Sequence, residues 1–285
     1  MCRFVAYLGQ PMSADKLLVT SRNSLLHQSM NALEAAMTVN GDGFGFGWYD
    51  KTIREEPALF RSIRPAWNDE NLLHIAAMIR SKCFVGHIRA ASNGSVSIAN
   101  CHPFQFQKFL MMQNGGIEDF ELIKKQLVHR LDEETFLWVK GQTDTQYIFA
   151  LFMTIAKECN KDRDLTLDDM ARCFRLTFEQ IEEMKKKVNS FTPSVYNLVI
   201  TDGEQMAATR YSTRPDKQTR SLHLARASDF DMDGEGYLHF KKTEANTSVL
   251  ISSEVLFDKG AVWKDVPEGC CILVDKDLQV KVIEL

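Results

Sequence analysis

The second residue of the chain is a cysteine, in Met1-Cys2-Arg3-Phe4-Val5-Ala6-Tyr7-Leu8. Cys2 is small, so removal of the initiator methionine is expected, and that cleavage puts a nucleophile and a base on one amino acid. A free α-amino group titrates at roughly 7.7–8.0 and a thiol at about 8.5, so the amine needs almost no tuning to serve as a general base near neutral pH. A lysine in the same role would have to fall from about 10.4 to near 7.5, at a cost of roughly 4 kcal/mol. Taken alone, a small residue after Met1 is more often the start of a buried strand, so the case rests on the remainder of the chain. Four short signals follow in order: His87-Ile88-Arg89-Ala90-Ala91-Ser92, Asn100-Cys101-His102-Pro103, Asn114-Gly115, and Thr143-Asp144-Thr145-Gln146. Each has a plain structural reading, since Asn-Gly is commonly a turn and Thr-Asp-Thr before an apolar run is commonly a helix cap. A conventional cysteine–histidine pair drawn from Cys83 or Cys101 with His87 or His102 is a competing source of nucleophile and base.

Cys2 and these four signals, taken together, resemble the glutaminase domain of the class II glutamine amidotransferases, N-terminal-nucleophile hydrolases whose mature chain begins with cysteine. The similarity extends to a stand-alone subgroup that includes YafJ-type proteins and the ergothioneine-pathway γ-glutamyl hydrolase. It is carried by Met1-Cys2-Arg3-Phe4, the Asn40-Gly41-Asp42-Gly43-Phe44-Gly45 run, Phe60-Arg61-Ser62 with Pro65-Ala66-Trp67, and Asn197–Arg210. The resemblance implies cleavage of the γ-glutamyl amide of glutamine or of a γ-glutamyl conjugate through a thioester on Cys2. It implies an oxyanion site made by the Asn114 side chain and the Gly115 backbone N–H. It further implies that Arg89 pairs with the substrate's α-carboxylate and Asp144 with its α-ammonium, with Ser92 and His102 at the substrate pocket. Where many members carry Thr and His three and four residues after the arginine, this chain has Ser92 and Asn93. Where they carry an acidic residue two after the aspartate, it has Gln146. Those departures leave γ-glutamyl recognition in place and bear on the leaving group.

Larger members of that superfamily fuse the glutaminase to a domain that consumes ammonia. Here there is no P-loop and no dinucleotide fingerprint, because the Gly41–Gly47 run lacks the Lys-Ser/Thr of the first and the following helix of the second. No cofactor or metal is therefore expected, and the partner expected is a small γ-glutamyl molecule. Two points stay open: an acceptor protein subunit that receives ammonia, with the chain as a supplying or non-catalytic subunit, and a homo-oligomeric assembly.

Composition agrees with an enzyme of small molecules. The 34 basic and 38 acidic side chains leave a net charge of −4, which removes the usual basis for a nucleic-acid partner. The absence of a basic-then-apolar leader or of an apolar run long enough to span a bilayer argues against a membrane partner. Seven cysteines without C-x-x-C spacing suit a reducing, cytoplasmic setting and no structural zinc.

The elements that must position these residues follow from periodicity. Arg3–Gly9 reads as a strand and Ser13–Ser21 as a short helix; glycines at every second position through Gly47 predict a strand with one bare face and the other carrying Phe44, Phe46 and Trp48. A helix behind an Asn68 cap, strands near Cys83–Ala90 and Lys108–Gln113, and a helix-rich stretch from Asp119 to Asn189 come next. Strands return at Val195–Thr201, Gln205–Arg210, Ser221–Ala225, Ser248–Ser252, Cys271–Asp275 and Gln279–Ile283. Arg214–Gln218 and the acidic Asp229–Glu235 read as surface turns. Strands, helices, then strands predict an α+β fold in a single domain spanning 2–285. The family resemblance sharpens this to an Ntn-hydrolase four-layer αββα sandwich of two mostly antiparallel sheets flanked by helices.

Overall fold

Alternation along the first strand decides the layering. In the computed structural model, which describes residues 2–34, 39–91, 94–160, 164–214, 220–227, 230–234, 238–240, 247–256 and 263–285, Arg3–Ser13 is a central strand. Val5 and Tyr7 point to one core with Phe44, Phe46, Phe84 and Leu250, beneath the helices Leu25–Met30 and Glu70–Met78. Phe4, Ala6 and Leu8 point the other way, against Leu110, Met112, Val199, Ala208 and Ile272 of a second sheet. The opposite face of that second sheet, with Phe109, Met111, Leu198 and Leu273, is covered by the helices Phe120–Arg130, Asp144–Asn160 and Leu167–Lys187. Each sheet is apolar on both faces, and the result is four layers, helix–sheet–sheet–helix.

The first sheet has seven strands and the second six, and the strand pairs are antiparallel. In the first, Arg3–Ser13 lies between Arg80–Ile88 and Ser248–Ser252, so opposite ends of the chain meet beside Cys2. In the second, Phe109–Gln113 pairs with Leu198–Thr201. The fold and its layer order are those expected from the sequence.

The glycine run is the strand Phe44–Trp48, and its bare face is where the sheets approach. A Cβ on Gly45 would sit 2.3 Å from the His102 carbonyl oxygen, and one on Gly47 would sit 2.6 Å from Leu110 Cδ1. The glycines therefore make room for the second sheet, while Phe46 stacks on Trp48 and Phe60 on the other side.

Some expectations shift. The second helix is capped by Asp69, whose carboxylate accepts from Asn71 N, in place of Asn68. The segment after Ser13 is a five-residue π-helical turn, Lys16–Thr20. The strands Ala58–Ser62, Phe104–Phe106 and Trp263–Asp265 carry no clean alternation and were not expected. Asp231 belongs to a short strand, Phe230–Met232, paired with Leu238–Phe240, and not to an acidic turn. Asp229, Glu235 and residues 215–218 lie outside the described residues. Among the described residues, no helix is long and apolar enough to cross a membrane.

The sheet spacing makes Gly45→Ala a direct test of this packing. Its methyl must displace the His102 carbonyl, just ahead of the second sheet's strand Phe104–Phe106, and that of Phe60, so we predict a loss of about 1–3 kcal/mol. Urea denaturation should show a lower midpoint at unchanged slope, and a wild-type midpoint would mean the sheets part freely.

Candidate active site

Cys2 immediately precedes the central strand, and its thiol reaches the end of the neighbouring one. Ala90 N–H donates to Cys2 Sγ at 3.4 Å, and Ala90 O lies 3.5 Å from the same sulfur. The backbone of Cys2 is fixed from below by Arg3, which is 1 % exposed; Arg3 Nη1 donates to Cys2 O at 2.8 Å and Nε donates to the Glu254 carboxylate. Glu254 is equally buried and also accepts from the N–H groups of Leu33 and Glu34, both at 3.0 Å. A buried ion pair is tolerable when most of its remaining polar atoms are hydrogen-bonded, and here those bonds hold the Cys2 carbonyl, while Arg3 Nη2 has no partner among the described residues.

The second sheet supplies Asn114. It follows the strand Phe109–Gln113 and is fully buried. Its carboxamide oxygen accepts from Arg220 Nη1 at 2.7 Å, and its Nδ2 donates to Ser253 Oγ at 3.3 Å. Ser253 Oγ also accepts from Phe4 N–H at 3.2 Å, so one hydroxyl ties Asn114 to the strand that follows Cys2. A carboxamide nitrogen carries two N–H donors, and the second has no partner among the described residues. The N–H groups flanking Gly115 are spent, Asn114 N on Asn197 O at 2.8 Å and Gly116 N on Val195 O at 2.9 Å. Between them, Gly115 N–H has no acceptor among the described residues. Only glycine fits there, because a Cβ would lie 2.0 Å from Val195 O.

Asp144 opens the helix Asp144–Asn160 and is 6 % exposed. Its Oδ2 accepts from Ile117 N at 2.7 Å and Oδ1 from Thr145 N at 2.9 Å. Burial pushes its carboxyl up to about 6, against the opposing pull of those two amides and of the Arg220 charge. Arg220 is held in turn between opposing influences: burial lowers its guanidinium, as does Arg3, while Cys2, Glu118 and Asp144 favour its charge. Cys2, Asn114, Asp144 and Arg220 thus converge on one region between the two sheets.

Arg89 is buried beside it. Its guanidinium donates to Ser95 O at 3.0 Å and Gly94 O at 3.3 Å, and Asn100 Nδ2 donates to the same Ser95 carbonyl at 2.8 Å. Arg89 therefore clamps the loop that follows its own strand. Ser92 lies within that loop but outside the described residues. His102 is buried, with its ring 4.1 Å from that of His87 and 4.4 Å from Phe104. His87 Nε2–H donates to Gln113 O at 2.9 Å, and burial drives His87 down to about 3 and His102 well below the usual range. Both rings are neutral and locked between the sheets. Gln146 turns onto backbone, accepting from Gly141 N at 2.8 Å and Lys140 N at 3.2 Å and donating to Ala99 O. The departure noted at that position is thus a staple for the loop.

The competing cysteine–histidine pair has no geometry to support it. Cys83 bonds to Thr201 Oγ1 and burial pushes its thiol up to about 12; burial also raises Cys101, which faces the carbonyls of Ser62 and Ser97. Sequence reasoning missed Arg220, Ser253 and Glu254. Arg220 sits in a polar stretch with no periodicity, and the one usable signal was Ser252-Ser253-Glu254, a polar run closing an apolar strand. Among the described residues no group of side chains suits a metal ion.

A family model described as class II glutamine amidotransferases matches residues 12–283, and the chain belongs to that family. It is 31% identical over 293 residues, 97% of this chain and 82% of the other, to a probable glutamine amidotransferase, DUG3, of Saccharomyces cerevisiae. It is also 31% identical over 120 residues to the γ-glutamyl-hercynylcysteine sulfoxide hydrolase of Mycolicibacterium smegmatis, covering 41% of this chain and 52% of that protein. Among solved structures, a class II domain protein from Silicibacter pomeroyi superimposes with a TM-score of 0.65 at 22% identity, over 100% of this chain and 99% of that one. The phosphoribosylpyrophosphate amidotransferase of Bacillus subtilis does so at 0.62 and 14% identity, over 99% of this chain and 49% of that one. These two likenesses show the fold.

Thiol reactivity separates the candidates. In the native protein iodoacetamide is expected to modify the half-buried Cys2, whereas Cys83 and Cys101 react only after unfolding. Peptide mass spectrometry reads this directly, and native modification of Cys101 at the rate of Cys2 would revive the cysteine–histidine reading.

Proposed function

We propose that the chain is an amidohydrolase of γ-glutamyl amides, glutamine or a larger γ-glutamyl conjugate, acting as one domain over residues 2–285 after loss of Met1. The observation that carries this reading is the pair of unspent donors, one N–H of Asn114 Nδ2 and the N–H of Gly115, tied through Ser253 to the strand that starts at Cys2. The Cys2 thiol attacks the γ-carbonyl carbon while its proton passes to the α-amine of the same residue. The oxyanion forms against the Asn114 and Gly115 donors; in other hydrolases one such donor supplies about 2.7–4 kcal/mol. The amine returns the proton to the departing ammonia or amine, which leaves a γ-thioester. Water then attacks that thioester, giving up a proton to the amine, and the tetrahedral adduct collapses to release the γ-carboxylate and restore the thiol.

In this reading Asp144 faces the substrate's α-ammonium, and Arg89 takes its α-carboxylate while keeping the 94–95 loop in place. His102 and Ser92 belong to the pocket wall, His102 as the ring that backs His87. Two relatives support the substrate class, since one is a γ-glutamyl hydrolase and the other a probable glutamine amidotransferase by name. The seven free cysteines suit the cytoplasm as its place of work.

Intact mass and glutamate release test the reading together. Purified untagged protein should lack the mass of Met1 and release glutamate from a γ-glutamyl amide, and Cys2→Ala should abolish release with little change in thermal midpoint. Turnover that survives in Cys2→Ala would sink it.

The pH profile tests Asp144 separately. Its carboxylate is the form that pairs with an ammonium, and with a folded-state value near 6 that form is lost as pH falls through about 6. The kcat/KM of the free enzyme should fall correspondingly on the acid side. For stability the sign is opposite, because a carboxyl raised above its unfolded value of 3.8 favours folding at low pH and loses that contribution as pH rises through 6. Asp144→Asn should raise KM and remove this acid limb; a limb unchanged in Asp144→Asn would assign it elsewhere.

A further inference from the structure

We infer that Arg220 is a positioning residue for this reaction: its guanidinium locks the Asn114 carboxamide with the NH₂ group turned to the reaction centre, an inference that rests on the thioester reading above. An asparagine carboxamide fills nearly the same space in either of two orientations, differing by a half-turn that exchanges oxygen and nitrogen. Ser253 does not distinguish them on its own, because a hydroxyl can accept from Nδ2 or donate to Oδ1. Arg220 does, since a guanidinium has donors and no acceptor, and its Nη1 stands 2.7 Å from the oxygen. With the oxygen held on the Arg220 side, the second N–H of Nδ2 is free for the substrate. With the amide turned over, a lone pair would face the developing oxyanion and oppose it.

The backbone around Arg220 is pinned for this task. The Arg220 carbonyl accepts from Asn197 Nδ2 at 3.0 Å and from Arg210 Nε at 3.1 Å. Ser221 Oγ donates to Ser253 O at 2.8 Å. Asn197 also supplies the carbonyl that takes Asn114 N–H. Residues 220–221 are thus stitched to Asn197, which holds the Asn114 backbone, and to Ser253, whose hydroxyl takes Asn114 Nδ2. The cation on Oδ1 also draws electron density from the amide and strengthens its N–H donors, as coupled hydrogen bonds do in a low-dielectric interior. Its charge is favoured by the neighbouring Cys2 and Asp144.

Arg220→Met removes the donor while keeping an apolar stem of similar reach, and Arg220→Gln keeps a donor without the charge. We expect Arg220→Met to lower kcat about 10²-fold, the scale of a lost oxyanion donor, with KM within about twofold, and Arg220→Gln to recover part of that loss. Introduced into Asn114→Ala, Arg220→Met should cost less than about a further twofold, because the group it acts through is gone. Urea midpoints of the single variants check that each is folded. Wild-type kcat in Arg220→Met, or losses that multiply in the double variant, would overturn the inference. If the wild-type protein releases glutamate from no γ-glutamyl compound, the proposed function fails, and the orientation is read without turnover. The side-chain amide resonances of Asn114, assigned by their absence in Asn114→Ala, should move in Arg220→Met; unmoved resonances would overturn the inference by that route.

Discussion

One hydroxyl, that of Ser253, is the point on which the site depends. It accepts from the backbone of Phe4, two residues after Cys2, and from the side chain of Asn114 on the opposing sheet. Two sheets that slide on apolar side chains alone have no fixed offset at the level of a single hydrogen bond. Ser253 supplies that offset at the rim, and the donation from His87 to Gln113 O supplies a second one. The bare face of Phe44–Trp48 permits both, because it lets the sheets come close enough for short polar side chains to bridge them.

Around that bridge the electrostatics are organised by burial. Two arginines, Arg3 and Arg89, and two carboxylates, Glu254 and Asp144, lie deep in the structure, each held by backbone groups, with Arg220 half-buried beside them. Arg3 and Glu254 neutralise each other and spend most of their remaining donors and acceptors on main chain, Arg3 Nη2 excepted, which makes them scaffolding. Asp144 has no such bonded cation among the described residues, and burial raises its carboxyl. A buried acceptor left in that condition is suited to a cationic guest, whereas the Arg3–Glu254 pair has no comparable opening.

The sequence carried most of the fold. The glycine alternation, the amphipathic helices and the late apolar strands each state their period, and the observed sheets use nearly the same residues. Ser248–Ser252 is found at the predicted limits, and Leu198–Thr201 and Cys270–Val274 lie within a few residues of theirs. Short strands such as Phe104–Phe106 were illegible because three residues cannot display a period of two. At the site, Cys2, Arg89, Asn114, Gly115 and Asp144 were each visible within a short motif, and the structure brings them into one neighbourhood. Arg220 and Ser253 were not visible. Their roles come from contacts across 106 and 139 residues to Asn114, and nothing in the local composition of either segment encodes such a partner.

The strand that follows Cys2 also sets an order of assembly. It pairs on one side with Arg80–Ile88 and on the other with Ser248–Ser252, and Ser253 N–H closes on Phe4 O at 3.0 Å. Contacts between such distant segments form only after a large loop has been closed, which makes them late and slow. During synthesis Cys2 emerges some 250 residues ahead of Ser253, and its surroundings wait for that interval. A ribosome-bound chain therefore carries an ordinary thiol, and hydrolytic competence arrives only when the last third of the polypeptide has docked.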